Sequence, residues 1–418
     1  MRRNKKWIAL LLAGVMAFGL CGCSGDSVPD GDDRKPAGEK TVCLTKGIKT
    51  GTSSAKAVDE TFRKAYNTFA AGMFREVRKT IGAEFISPYS AYAALAMVMN
   101  GADTETLAAM QNVFGLPAEE MNQYLKTLAE RYNSDKAVSV ANSVWFNGDF
   151  RERVREEFLQ TLADYYAAEA YSAQFSDPKT KDDMNAWVEE KTLGRIKDMV
   201  SYLDPANVMV LFNCLTFDGT WADPFSADKT KNADFHKADG SVSVVKMMSG
   251  EAENYFEADT YVGFSKNYEG GYYFRAYLPK EGMTASKLAE TLTAEQLTNP
   301  GTYDGKAYVK MPKITLRSGE MDLIPALREL GMGIAFGAAD FSKITKTGDL
   351  LSISKVMQKT YLEIDEEGTK AAAATEVEMR CYAVAPQPVE HYVVLDQPFV
   401  YAIYDGNNDI PLFIGIYE

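Results

Sequence analysis

One run of residues limits the folds open to this chain more than any other. Residues 208–217 read Val-Met-Val-Leu-Phe-Asn-Cys-Leu-Thr-Phe, apolar at odd and even positions alike. A half-exposed strand alternates apolar and polar residues, so an unbroken run of this length suits a central strand covered on both faces. Asn213, in its middle, then requires buried hydrogen-bond partners. Phe62, Tyr66, Phe69, Met73 and Val77 recur at helical spacing, and helical patterns continue over 90–100, 104–114, 118–132, 153–168 and 181–191. Strands and turns follow over 255–313, then a short helix over 321–330 and a closing hairpin of 399–404 and 411–417. Helices early and strands late, without regular βαβ alternation, predict an α+β fold.

The 418 residues are 46% hydrophobic and 25% charged, which excludes disordered and fibrous classes. Lys and Arg number 45 against 58 Asp and Glu, a net charge of −13, with no basic cluster beyond residue 6. Nucleic acid is therefore not an expected partner. The two histidines, His236 and His391, leave little material for histidine-based metal sites or catalytic triads. Nucleophile-elbow, P-loop, zincin and Cys-x-x-Cys motifs are missing, and Gly331-Met332-Gly333 has Phe336 where a dinucleotide fingerprint needs its third glycine. His236 sits in a turn-like context and reads as a surface residue. The pairs Glu119/Glu120 and Asp182/Asp183 read as helix starts, and Asp365-Glu366-Glu367 as a solvated turn. Neither a catalytic centre nor a cofactor or metal is expected.

The N-terminus reads as an address. Arg2, Arg3, Lys5 and Lys6 precede an apolar run over 7–20 that is too short to span a membrane. Leu20-Cys21-Gly22-Cys23-Ser24 resembles a bacterial lipobox, with Cys23 as the lipidated residue. The expected organisation is a signal peptide over 1–22, a lipidated flexible tether over 23–57, and a globular domain over 58–418. This implies export to a bacterial cell envelope with lipid anchoring to a membrane. Loss of 1–22 removes four positive charges, giving 41 − 58 = −17. Cys43, Cys214 and Cys381 remain, an odd number that argues against a disulfide scaffold.

Residues 369–381 form an unusual segment. Thr369, Ala371, Ala373, Thr375, Val377, Met379 and Cys381 are uncharged, while Lys370, Glu376, Glu378 and Arg380 place every charge at even positions. Period 2 gives one face fit to bury and one fit for water, a strand pattern. An alanine-rich helix would scatter those charges around its axis. A plain exposed loop is the other reading.

Several motifs in order along the chain resemble the serpin family, from about residue 58 to the C-terminus. They are Phe85-Ile86-Ser87-Pro88-Tyr89-Ser90 with Ala94-Leu95-Ala96-Met97 and Gly101-Ala102; Asn213 with Phe217-Asp218-Gly219-Thr220-Trp221 and Pro224-Phe225; Met311-Pro312-Lys313; Leu330-Gly331-Met332; Ala339-Asp340-Phe341-Ser342; and Pro398-Phe399 with Leu412-Phe413-Ile414-Gly415. The most specific is Glu366-Glu367-Gly368-Thr369-Lys370-Ala371-Ala372-Ala373-Ala374-Thr375, which resembles the hinge of inhibitory members. The resemblance implies three sheets, about nine helices, an exposed reactive-centre loop and a monomer. It also implies suicide inhibition: a protease cuts the loop, and the loop enters the main sheet as an extra strand. From Thr369 to Tyr382 is roughly 46 Å of strand, and a dozen new ladder bonds supply on the order of 10 kcal/mol.

By the same resemblance Ser87, Ser90, Asn213 and Gln358 map to the shutter that lets the sheet open, and Trp221, Lys313 and Glu366 to its top, the breach. Gln358 stands where the family usually has histidine and cannot titrate, which implies opening without a histidine-like pH step. Lys370 stands where the family often has Glu. The family's spacing from Glu366 puts the reactive bond at Tyr382–Ala383, and counting back from Pro398 puts it near Gln387; Arg380 and Val384 are further alternatives. The expected partner is a serine, possibly cysteine, protease held as a covalent acyl-enzyme. The alternative is a non-inhibitory surface lipoprotein on the same fold whose loop is cut as a substrate.

Overall fold

The computed structural model describes residues 41–369 and 391–418. The run that opened the sequence analysis forms the strand Met209–Phe217, buried at every position. It pairs antiparallel along its length with Val138–Asn147 and, from Met209 to Asn213, parallel with Ile353–Gln358. Both parities are apolar because the sheet separates two cores. Met209, Leu211, Leu215 and Phe217 join the main core with Phe274, Tyr401 and Phe413. Val210, Phe212 and Cys214 pack on the other side with Trp145, Met184 and Trp187.

This main sheet has six strands, in the order Val42–Cys43, Glu169–Ala173, Val138–Asn147, Met209–Phe217, Ile353–Gln358 and Met321–Asp322. A seven-stranded sheet runs Thr302–Tyr303, Asn254–Glu257, Tyr261–Asn267, Tyr272–Pro279, Phe399–Asp405, Ile410–Tyr417 and Phe85–Ile86. A four-stranded sheet holds His391–Val394, Ala307–Pro312, Val242–Ala252 and Lys231–His236. A small ladder of Ile314–Arg317 with Tyr361–Ile364 continues the outer main-sheet strands, through reciprocal bonds of Ser318 and Thr360. With nine α-helices among the described residues, the architecture is the expected α+β one with three principal sheets.

Local rules account for the elements that frame the sheet. The first helix, Glu60–Ile81, starts at Asp59, whose carboxylate accepts from the Phe62 amide, and ends at Gly82 in the left-handed region at φ +73°. Helix Pro88–Met99 has Ser87 as its cap and a proline at its first position, and every one of its residues is buried.

Three expectations need correction. Residues 41–57, read as tether, pack on the domain. Val42–Cys43 adds an edge strand to the main sheet, Thr41 donates to Asp183, the Gly51 amide donates to Asp164, and Lys56 pairs with Glu120. Polar side chains with specific partners hold this segment where composition alone reads flexibility. The helix expected over 321–330 begins later, at Ile324–Leu327, because Met321–Asp322 is an edge strand. Strands also stand among the early helices, at Val138–Asn147 and Glu169–Ala173, so the helix-then-strand order is only partial. Cys43 and Cys214 are free thiols, and Cys23 and Cys381 lie outside the described residues. Among the described residues no helix is long and apolar enough to cross a membrane.

Gly263 illustrates how tightly the seven-stranded sheet is packed, since a Cβ there would collide with the Ala276 carbonyl and the Phe256 ring. Gly263→Ala is expected to destabilise the fold by about 1–3 kcal/mol, read as a lower urea midpoint at unchanged slope.

Candidate functional site: an open seam in the main sheet

The parallel ladder between Met209–Phe217 and Ile353–Gln358 ends at the pair Asn213 and Gln358. Above it no ladder joins residues 214–217 to Tyr361–Ile364 among the described residues, and the Thr216 and Thr360 hydroxyls have no partner although both residues are buried. The sheet is thus closed below and open above, along one seam.

At the lower end, the Gln358 side chain clasps Ser87 twice. Its Oε1 accepts from the Ser87 amide at 3.0 Å and its Nε2 donates to the Ser87 carbonyl at 2.9 Å. Ser87 Oγ donates to the Leu412 carbonyl and accepts from the Ser90 amide. Asn213 donates to Asn142 across the other strand pair. The structure therefore brings the four expected shutter residues to the closing point of the seam, with Ser90 Oγ and Asn213 Oδ1 left unpartnered. Asn142 escaped the sequence reading because nothing in Val138–Asn147 marks it as a partner of residue 213.

At the upper end, Gly368 and Thr369 already touch both walls. Gly368 bridges Thr220 on one side, and Thr369 bridges Ile364 on the other. The Thr369 amide donates to Gly219 O at 2.7 Å, and the Asp365 amide donates to Gly368 O at 2.8 Å. Gly368 has φ +146°, and a Cβ there would collide with the Gly219 backbone, so only glycine fits. Trp221 braces this turn. Its Nε1 donates to Asp365 O, its amide to Glu367 O, and its ring stacks on Tyr268 at 3.9 Å. The Tyr268 hydroxyl meets Thr369 Oγ1 at 2.8 Å, and the Phe225 amide donates to Glu366 O. Glu366 takes Lys313 Nζ at 2.5 Å and the Thr230 hydroxyl at 2.8 Å. Trp221, Lys313 and Glu366 thus converge as expected, joined by Phe225 of the same motif as Trp221; Tyr268 and Thr230 complete the bracket from segments that the sequence does not tie to it. Lys370, Ala371, Ala372, Ala373, Ala374, Thr375, Arg380, Tyr382, Ala383, Val384 and Gln387 lie outside the described residues.

A loop crosses between the seam's walls. Arg195 forms an ion pair with Asp218, at the end of one wall, and Lys359 on the other donates to the carbonyls of Lys197 and Asp198 at 2.8 and 3.3 Å. Leu193 and Asp198 adopt left-handed backbone angles at φ +53° and +52°, a strained geometry for non-glycine residues. Under this strap lies a cavity of about 760 Å³, lined also by Arg317, Thr360, Tyr361 and Glu363.

Comparison with known proteins identifies this arrangement. Residues 64–418 match the family described as serpin (serine protease inhibitor). The chain belongs to the serpin family. It is similar to alpha-1-antiproteinase S of Cavia porcellus, at 32% identity over 392 residues covering 89% of this chain and 94% of that protein. Among solved structures it resembles the thermophilic serpin tengpin in the native state, with a TM-score of 0.82 at 33% identity, covering 90% of this chain and 99% of that one. Against tengpin in the latent state the TM-score is 0.73 at 32% identity, covering 87% and 98%.

Burial acts to raise the Glu366 carboxyl, and the hydrogen bonds from Lys313 and Thr230 outweigh it, holding the group below its ordinary value of 4.5. A carboxyl depressed in the folded state adds stability above its unfolded pKa and loses it as pH falls through the folded value. Acidification from neutrality to below 4.5 is therefore expected to cost the wild type more of its urea midpoint than Glu366→Gln. Equal losses would contradict the anchoring role of the carboxylate.

Proposed function

We propose that this serpin is an irreversible suicide inhibitor of extracellular serine proteases, with cysteine proteases as a second class of target. The observation that carries the reading is the seam: a stretch without a ladder between two strands, at whose head Gly368 and Thr369 are already bridged one to each wall. The attacking serine Oγ bonds to the reactive-bond carbonyl carbon, the C–N bond breaks, and the leaving amine takes the proton. The protease remains as an ester on the loop. Insertion of the freed strand drags it from its docking position and distorts its oxyanion hole, so hydrolysis stalls. We assign the reactive bond to Tyr382–Ala383, which implies a target with a large apolar primary pocket.

Register supports the same reading. Counted down antiparallel from the two bridges, Ala371, Ala373, Thr375 and Val377 fall opposite Leu362, Thr360, Gln358 and Val356 on one wall and Phe217, Leu215, Asn213 and Leu211 on the other. Those wall residues are buried, and most belong to the main core, so the uncharged parity of the loop meets the core side. Lys370 falls opposite Glu363 and Asp218, and Glu378 opposite Lys355, a favourable cross-strand arrangement for these two charges, whereas Glu376 falls opposite Met357 and Phe212. The departure from the family at Lys370 is in keeping with these walls.

The test is a protease complex that survives denaturing electrophoresis. Wild type is expected to form it with a chymotrypsin-like enzyme. Thr369→Arg, which buries an unpaired charge beside Tyr268, is expected to be cleaved as a substrate without complex formation. Cleavage of wild type with no complex and no rise in melting temperature would instead indicate the non-inhibitory alternative.

We further propose that Cys23 carries a lipid that tethers the domain to a bacterial envelope membrane, a reading supported by the basic start, the short apolar run and Gly22 before Cys23. Metabolic labelling with an alkyne fatty acid is expected to tag wild type and not Cys23→Ser; equal labelling of both would overturn it.

A further inference from the structure

On the outer face of the seven-stranded sheet, away from the seam, Arg275 is 3% exposed and has no carboxylate within ion-pair distance among the described residues. Its guanidinium donates only to neutral acceptors: Ser265 Oγ at 3.3 Å, Leu297 O at 2.7 Å, and the hydroxyls of Tyr273 at 3.3 Å and Tyr303 at 3.0 Å. The rings of Tyr404, Tyr273 and Phe256 surround it, with centroids 4.7, 5.0 and 5.8 Å away. The acidic residues of the neighbouring hairpin are engaged elsewhere. Asp405 takes Arg131 and Tyr132, and Asp409 takes the Tyr273 hydroxyl at 2.8 Å. A guanidinium withdrawn from water without a counter-ion is costly, and aromatic faces with neutral acceptors offset only part of that cost.

This cation lines a cavity of about 250 Å³, together with Asn254, Ser265, Asn267, Tyr273 and Tyr303. The side-chain amides of Asn254, which is exposed, and Asn267, which is half-buried, have no protein hydrogen-bond partner among the described residues. A buried guanidinium and two unengaged amides thus line the same space, with tyrosine rings beside them. Four of the guanidinium's five N–H groups are taken by those neutral acceptors, so its charge, one N–H on Nη1 and the two amides are what this space offers, and they match the oxygens of a carboxylate. At about 30 Å³ per water the cavity displaces roughly eight waters, which suits a short or single-ring acid.

We propose that this pocket binds a small organic monocarboxylate, with Arg275 as its anchor. The carboxylate lies against the guanidinium and the amides of Asn254 and Asn267, and its apolar body lies along Tyr303 and Tyr273. The site is independent of loop insertion.

Calorimetric titration of the full chain with sodium benzoate and sodium butyrate, against sodium chloride and sodium phosphate at matched ionic strength, tests this. Saturable one-site binding of a carboxylate is expected, with a rise in melting temperature, and at least tenfold weaker binding by Arg275→Met. Binding by chloride or phosphate as tight as by the carboxylates, no saturable binding, or unchanged affinity in folded Arg275→Met would each overturn it. Should Arg275→Met fail to fold, Asn254→Asp, which sets a like charge against the carboxylate at an exposed position, decides: a severalfold loss supports the site, and an unchanged affinity refutes it.

Discussion

Backbone N–H and C=O groups removed from water need partners, and a sheet supplies them only where strands lie side by side. Along the seam strand pairing supplies those partners up to Asn213 and Gln358, and no ladder supplies them above among the described residues. The candidate site lies along this line. The clasp of Gln358 on Ser87 closes its foot, and Trp221 with Tyr268 braces its head. Two apolar cores lie on either side of the sheet.

Much of this was legible in the residues. The central strand declared itself because both of its faces are apolar, and the first helix because its aromatic residues repeat at helical spacing. Val138–Asn147 stayed hidden because Ser139, Asn142 and Ser143 interrupt a pattern that only pairing with Met209–Phe217 makes coherent. Residues 41–57 were misread for a related reason: small and polar residues carry no hydrophobic signal, and their order comes from Asp183, Asp164 and Glu120, far away in sequence.

The site divides the same way. Trp221, Lys313, Glu366, Ser87 and Gln358 are named by family likeness, and the structure gathers them in two places. Tyr268, Thr230 and Asn142 come from segments with no local mark of their role, so only the folded chain assigns them. Gly368 is a partial exception. Glycine at that position follows from the likeness, whereas the reason for it, the Gly219 backbone pressed against its Cα, is purely tertiary.

The strap formed by residues 195–198 has one further consequence. It is fastened to one wall by Arg195 and to the other by Lys359, so a third strand that enters by moving the two walls apart has to loosen one of these fastenings. If a protease is to be captured by that strand, release of the strap competes with hydrolysis of the ester. The proportion of encounters that end in capture then depends on the lifetime of a few polar contacts, none of which touches the enzyme.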